Sequence, residues 1–247
     1  MKKIALISAA AAAATLAVAP AAAFADGAPT TQSLSVKLTS SKAGTTSAPT
    51  AVGLELNTGT TSNDPAGTKQ TLSHVKITIP KGIKLNYKAF KACTDPAGLT
   101  CPSNTKIGSG SAVADVYQVQ DNIPGTLTPY IGTNNTLLIR TQFTQPAVID
   151  EALKAVVSTS GGGYVFDIDV PQDLQVPIQP TGNQQIRKFD VKFSKLTTKV
   201  GKKTVPLIGL TSCPSGGYKF QGDFTFANSQ PTTTTTVVKC STAKKKK

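Results

Sequence analysis

The sequence predicts an all-β protein with an antiparallel β-sandwich architecture and at most one short helix. Apolar and polar residues alternate with a period of two over many short segments, which is the pattern of half-buried strands. Clusters of Gly, Pro, Asn and Ser separate these segments, as turns do between antiparallel strands. The 247 residues allow one large domain or two packed domains, with a possible sub-boundary near 120–135.

The N-terminal half contains five predicted strands and one predicted helix. The strands are 34–38, 52–56, 75–79, 107–119 and 136–143. Turn clusters at 40–50 and 57–67 separate the first three, and each of these three places alternate apolar side chains on one face. Asp150–Val157 has acidic residues in its first turn, and we predict that it forms the one short helix.

The C-terminal half contains five more predicted strands. They are 164–170, 189–193, 205–210, 218–226 and 232–239. The last two form the clearest hairpin, because four aromatic residues of 218–226 share one parity and Asn228-Ser229 supplies a turn. The predicted β-sandwich region is therefore 26–240, and 241–247 is predicted to be a basic, disordered tail.

The N-terminus has the organisation of a secretory signal peptide. Lys2 and Lys3 precede an apolar, Ala-dominated run, and small residues stand at the positions that signal peptidase recognises before a cut between Ala25 and Asp26. The run is shorter than the ~20 residues of a membrane-spanning helix, so no transmembrane anchor is expected after cleavage. We therefore expect a secreted, extracellular or cell-wall-associated protein.

Four cysteines predict two disulfide bonds in an oxidising compartment. Cys93, Cys101, Cys213 and Cys240 allow three connectivities, and their spacing does not match the close pairs of a zinc site. The pairs Cys93–Cys101 and Cys213–Cys240 are favoured because each is close in sequence. The second pair also brackets the predicted C-terminal hairpin.

Several short runs resemble known proteins. They are Ile79–Asn86, Ala89–Cys93, Cys101-Pro102, Lys106–Gly110, Val170–Gln175, Leu210–Pro214 and Phe224–Phe226 with Cys240. Together they resemble a group of exported, cysteine-containing β-sandwich proteins of unknown function from high-GC Gram-positive bacteria. The resemblance implies the fold and the exported location. It implies no catalytic or binding residue, because the runs consist of turns, cysteines and aromatic strands.

The candidate catalytic and metal-ligating residues are few. His74 is the only histidine, and no Gly-x-Ser-x-Gly motif accompanies it. Asp167 and Asp169 stand about 6.5–7 Å apart on one strand face, which overlaps the carboxyl separation of inverting glycosidases, but the strand's solvent face is the simpler interpretation. A calcium site that adds Asp173 lacks EF-hand spacing. We therefore predict no catalytic residue, metal ligand or cofactor.

The charge of the chain favours anionic partners. The formal net charge is +13 at pH 7, of which two charges leave with the signal peptide. Lys244, Lys245, Lys246 and Lys247 are predicted to contact an anionic cell-envelope polymer, whereas the lysines in turns at 81–91 and 199–203 are interpreted as solubilising charge. Nucleic acid is not an expected partner, because the chain is exported and lacks a basic face interleaved with aromatic residues.

These observations predict a non-enzymatic cell-surface or extracellular protein with a structural, adhesive or binding role. One alternative is a carrier of a small ligand or glycan, and another is a carboxylate-dependent hydrolase. An apolar pocket between sheets would favour the carrier, and a cleft with two carboxylates would favour the hydrolase.

Overall fold

A computed structural model describes four stretches of the chain. They are residues 31–61, 71–178, 183–227 and 231–242. The predicted signal peptide, its cleavage site at Ala25 and Asp26, and Lys244–Lys247 lie outside these residues. Within the four stretches, no helix has the length and apolar character needed to cross a bilayer.

Strands make up most of the described chain. They are β1 (Thr31–Leu38), β2 (Lys42–Ala43), β3 (Thr50–Ala51), β4 (Leu54–Thr61), β5 (Leu72–Ile79), β6 (Ile83–Leu85), β7 (Gly108–Val116), β8 (Gln120–Ile131), β9 (Thr136–Phe143), β10 (Ile149–Ser160), β11 (Gly163–Asp169), β12 (Gln184–Phe193), β13 (Thr197–Val200), β14 (Lys203–Pro206), β15 (Ile208–Leu210), β16 (Tyr218–Phe226), β17 (Pro231–Val238) and β18 (Ser241–Thr242). One α-helix, α1 (Gln172–Gln175), and two 3₁₀ turns at Tyr87–Ala89 and Ser103–Thr105 complete the described elements. The all-β class is confirmed, and the described residues keep to the predicted limit of one short helix.

One antiparallel sheet of eleven strands organises the molecule. Its order is β1-β4-β12-β7-β8-β9-β10-β11-β5-β16-β17, and the proposed sub-boundary near 120–135 falls in β8 and the turn that follows it. The sheet curls until its edge strands β1 and β17 contact each other. Because every neighbouring pair is antiparallel and the strand number is odd, these two edges run in the same direction. Their continuations β2 and β18 accordingly pair in parallel, Ser241 with Lys42 and Thr242 with Ala43.

The curled sheet has two different ends. At the clasp end, where β1, β12 and β17 finish, the small sheet β3-β15-β6 adds its buried Ile83, Ile208 and Leu210 to the core. The hairpin β13-β14, the β2-β18 pair and both disulfide loops belong to the same end. At the helix end, where β1, β12 and β17 begin, α1 covers the interior with Leu174, its one buried residue.

The core lies between the inward faces of the curled sheet. Phe166 of β11 and Phe193 of β12 belong to strands that are not neighbours, yet their ring centroids are 6.4 Å apart. The predicted inward aromatic set of β16 is confirmed, since Tyr218, Phe220, Phe224 and Phe226 are at most 1% exposed. Opposite walls of the sheet therefore share one apolar core.

The predicted helix at Asp150–Val157 is wrong, because these residues belong to β10. Leu153, Ala155 and Val157 are buried while Lys154 and Val156 between them are exposed, which is the period of a strand. The acidic residue that suggested a helix N-terminus has a cross-strand partner instead. Arg140 of β9 donates from Nε to Asp150 Oδ1 at 2.7 Å, so tertiary pairing outweighs the local signal.

Other elements also differ from the prediction. No strand was predicted for β8, in which glycine and proline interrupt the apolar alternation. Gly125 is required there because a Cβ would lie 2.5 Å from the ring of Phe143. The predicted turn cluster at 57–67 begins too early, since β4 continues to Thr61, and 62–67 lies outside the described residues.

Candidate functional site

The outer face of β5 and β11 brings the only histidine to the predicted carboxylate pair. His74 Nε2 lies 2.6 Å from Asp167 Oδ1 and 3.9 Å from Asp169 Oδ1. The contact arises because β5 and β11 are neighbours with Asp169 opposite His74. The sequence does not reveal this contact, because the pairing joins residues 93 positions apart and leaves no local signal.

This cluster lies on an open surface. The Asp169 side chain is 96% exposed and that of Asp167 is 45% exposed, so water surrounds both carboxylates. Among the residues that the structure describes, no group of three or more His, Cys, Asp or Glu side chains could hold a metal ion. Asp173 lies on α1 rather than on the β11 face. Asp167 and Asp169 therefore do not line a cleft, as a hydrolase site would require, and Asp173 does not join them to form a calcium site.

Both predicted disulfides are present. Cys93 pairs with Cys101, and Cys213 pairs with Cys240. The first closes a loop that packs on Tyr130 and Leu138, on the outer face of β8 and β9. The second brackets the β16-β17 hairpin, in which Tyr218 lies opposite Val238. The favoured connectivity is confirmed, and it fixes two segments at the clasp end.

Asp95 organises the loop inside the first disulfide. Its carboxylate accepts hydrogen bonds from the Ala97, Leu99 and Thr100 N–H groups at 3.0, 2.9 and 2.7 Å, and from the Thr100 hydroxyl at 2.8 Å. These bonds, led by those from Thr100, lower the Asp95 pKa from 3.8 to about 2. The carboxylate is therefore ionised at neutral pH, and its hydrogen bonds are made within its own loop.

The clasp end concentrates basic side chains. Eleven lysines lie in the segments 39–53, 80–107, 194–217 and 239–242, and all eleven are exposed. They are Lys42, Lys81, Lys84, Lys88, Lys91, Lys106, Lys195, Lys199, Lys202, Lys203 and Lys239. Within the described ranges none of them forms an ion pair. We call the surface that these eleven lysines form the basic end.

Acidic residues are distributed differently. Asp95 is the only acidic residue in the four segments of the basic end, and every other described Asp or Glu lies on a strand of the main sheet or on α1. Ion pairs such as Arg140–Asp150, Arg187–Asp115 and Lys188–Asp190 also lie within the main sheet. The charge of the molecule is therefore separated along its length. The separation of charge is not visible in the order of residues along the chain, because the lysines come from distant segments that only the sheet topology brings together.

The interior also contains an apolar cavity of about 90 Å³. Its walls come from both sides of the curled sheet, with Ile186 and Phe189 of β12 opposite Leu137, Ala155 and Phe166, and Leu174 of α1 also lines it. Thr58 and Thr141 are the only polar residues in the lining. An empty void of this size costs the folded state about 2 kcal/mol. The cavity is the second candidate site.

Polar groups occupy the interior nearer the helix end. Gln184 is 2% exposed, and its Oε1 has no hydrogen-bond partner among the described residues. Gln184 and Ile186 share the inward face of β12, so Gln184 lies one inward position beyond the cavity lining. The buried Thr60 hydroxyl donates to Gln32 Oε1 at the same end. The cavity is thus an apolar space bounded by α1 and by buried polar residues.

Comparisons with known proteins assign no family to the chain. The sequence matches no protein-family model and no curated protein, and the structure matches no solved structure. The basic end and the cavity therefore have to be interpreted from their own residues.

Proposed function

We propose that the protein is exported and binds an anionic polymer of the cell envelope through its basic end. The observation that carries this proposal is the grouping of eleven exposed lysines in segments that contain one acidic residue. Asp95 contributes one negative charge against eleven positive charges, and its carboxylate accepts hydrogen bonds from its own loop. Like charges collected at one end create a local potential that attracts a polyanion.

The residue types indicate electrostatic attraction rather than recognition of one fixed group. Arginine presents a rigid fork that binds a carboxylate or phosphate in two places, whereas lysine is a flexible point charge. Both arginines of the chain, Arg140 and Arg187, lie in the main sheet and contact aspartates there. The basic end uses lysine alone, which suits a repeating chain of phosphodiester or carboxylate groups.

The C-terminal lysines extend this proposal. Ser241–Thr242 pairs with β2 at the clasp end, and Lys244–Lys247 follow two residues later in the sequence. The contact predicted for Lys244–Lys247 with an anionic polymer is therefore part of the same proposal. Folded surface and C-terminal lysines would act on the same polymer.

A matched pair of triple variants tests the proposal. Lys84, Lys199 and Lys203→Gln removes three charges from the basic end, and Lys76, Lys154 and Lys188→Gln removes three charges from the walls of the sheet. Binding of the mature protein to polyglycerol phosphate and to polygalacturonate is measured over a salt series. We expect the basic-end variant to lose about tenfold or more in affinity and to show a weaker salt dependence, while the wall variant stays within about twofold.

Three outcomes would contradict the proposal. Equal losses in both variants would show that only net charge matters. Absence of binding to either polymer at low salt would remove the surface as a polyanion site. Tighter binding to double-stranded DNA than to both polymers would make nucleic acid the partner. Deleting Lys244–Lys247 in the same assay measures the separate contribution of the tail.

A further inference from the structure

We infer that the interior cavity is a binding site for a small, uncharged, apolar molecule, reached from the helix end beneath α1. This site is independent of the basic end, which lies at the opposite end of the sheet. Of the ligands considered for a carrier, a small ligand or a glycan, this inference retains only small apolar molecules.

The lining excludes charged and strongly polar ligands. Seventeen of the nineteen lining residues are apolar, and none carries a charge. The Thr141 hydroxyl already donates to the Ile139 carbonyl at 3.2 Å, so its proton is not available to a ligand. A water molecule needs two to four polar partners in a buried site, and the hydroxyl groups of a sugar need at least as many. The cavity therefore favours hydrocarbon surface over water and over glycans.

The size of the cavity limits the ligand. The cavity has a volume of about 90 Å³. An engineered apolar cavity that accepts benzene is larger, at about 150 Å³. Sites for drug-sized ligands are larger still, at about 300–1,000 Å³. A ligand larger than a few carbon atoms would displace lining side chains. A single aromatic ring with at most one methyl group, or a short branched alkyl chain, is the largest group that small side-chain movements would accommodate.

The helix α1 provides the access route. It is a single turn that follows Pro171, and Leu174 is the only residue by which it fills the interior. The Gln175 side-chain amide donates to the Val170 carbonyl at 2.8 Å, which fastens the turn to the end of β11. Displacing this turn would open the cavity without breaking any strand pairing of the main sheet. The helix end is therefore the side at which exchange costs least.

The experiment uses toluene as the probe and the mature protein with both disulfides intact. A ligand that binds only the folded state of a protein raises its melting temperature. Toluene at a near-saturating concentration should therefore raise the melting temperature by about 3 °C. Benzoate, which has the same ring and a charge, should give no shift at neutral pH. Methyl resonances of Leu137, Leu153 and Ile186 should move with toluene.

Two cavity variants provide the controls. Ala155→Ile places three additional carbons in the cavity and should abolish the toluene shift without lowering the melting temperature. Leu153→Ala enlarges the cavity and should allow naphthalene to produce a shift that the unchanged protein does not show. If Ala155→Ile fails to fold, Ala155→Val adds less volume and should weaken toluene binding at least tenfold.

The access route is tested by Leu174→Ala, which should accelerate toluene exchange several-fold in NMR line-shape measurements. The inference fails if toluene shifts neither the melting temperature nor the cavity methyl groups. It also fails if benzoate acts as toluene does, or if Ala155→Ile and Ala155→Val retain the full shift. Unchanged exchange in Leu174→Ala would overturn the route beneath α1.

Discussion

The buried carboxylate of Asp115 pairs with Arg187, a residue at which the regular strand pairing is interrupted. Its carboxylate is fully buried in β7 and accepts hydrogen bonds from Arg187 Nη1 at 2.9 Å and from the Asn122 N–H at 2.8 Å. The pairing of β12 with β7 shifts register between Ile186 and Lys188, so Arg187 is the extra residue of a bulge. Bulges redirect side chains, and this one directs a cation to the buried acid.

Removing that cation should be costly. Arg187→Ala removes the charged hydrogen bond that Arg187 Nη1 donates to the fully buried Asp115 carboxylate, and we expect a loss of about 3 kcal/mol in the free energy of unfolding. Lys188→Ala removes the neighbouring, more exposed ion pair with Asp190 and should cost less than about 1 kcal/mol. Urea denaturation of both variants measures the difference, and equal losses would contradict the burial argument.

Asp95 should make the protein sensitive to acid in a defined range. Its pKa is lower in the folded state than in the unfolded chain, so its carboxylate stabilises the fold above about pH 4, and this contribution is lost as the pH falls toward 2. Asp95→Asn should be less stable at pH 7 and should lose less stability between pH 4 and pH 2. Parallel pH dependences for the two proteins would show that the loop does not hold the carboxylate.

At the scale of the strands and loops, the disulfides should differ in their contribution. Cys213–Cys240 spans 27 residues and Cys93–Cys101 spans 8. On the chain-entropy model the longer loop restricts the unfolded chain more, so Cys240→Ser should destabilise by about 1 kcal/mol more than Cys101→Ser. Each variant should also carry the partner cysteine as Ser, to avoid a free thiol. The opposite order in denaturation experiments would indicate that lost packing of the shorter loop dominates.

The strands that could be predicted are those in which most inward positions are large apolar residues, as in β16 apart from Gly222 and in β1 apart from Gln32. β16 and β1 have this pattern, and their buried faces agree with the sequence. β8 could not be predicted, because Pro124 and Gly125 interrupt its pattern and its stability comes from pairing with β7 and β9. β10 was assigned to a helix because its first acidic residues imitate a helix N-terminus until Arg140 is brought beside Asp150.

The candidate sites depend on the whole molecule, and this explains why the sequence did not reveal them. The lysines of the basic end come from four segments that meet only when the sheet is assembled. The cavity is a small mismatch between opposite walls of the sheet, and residue types alone do not encode such a mismatch. The disulfide pairing could be predicted because each pair is local in sequence.

Export of the whole molecule remains a prediction from the N-terminal sequence. We expect the mature protein to begin at Asp26, because Ala23-Phe24-Ala25 has the small residues of a signal peptidase site. Intact-mass analysis of protein recovered outside the cells would give the mass of 26–247. Recovery of protein that retains Met1 would contradict the prediction, as would protein that remains entirely in the cytoplasm.

The parallel edges of the curled sheet have a mechanical consequence. Thr31 starts β1 at the helix end and Thr242 lies at the clasp end, so tension applied between these residues pulls β1 along its own axis. The hydrogen bonds of β1 with β4 are then loaded together in shear instead of opening one after another. The Cys213–Cys240 bond passes the force to Cys213 and leaves the β16-β17 hairpin unloaded. A molecule held at its basic end should therefore resist pulling forces strongly, and reducing that disulfide should lower the rupture force measured on single molecules.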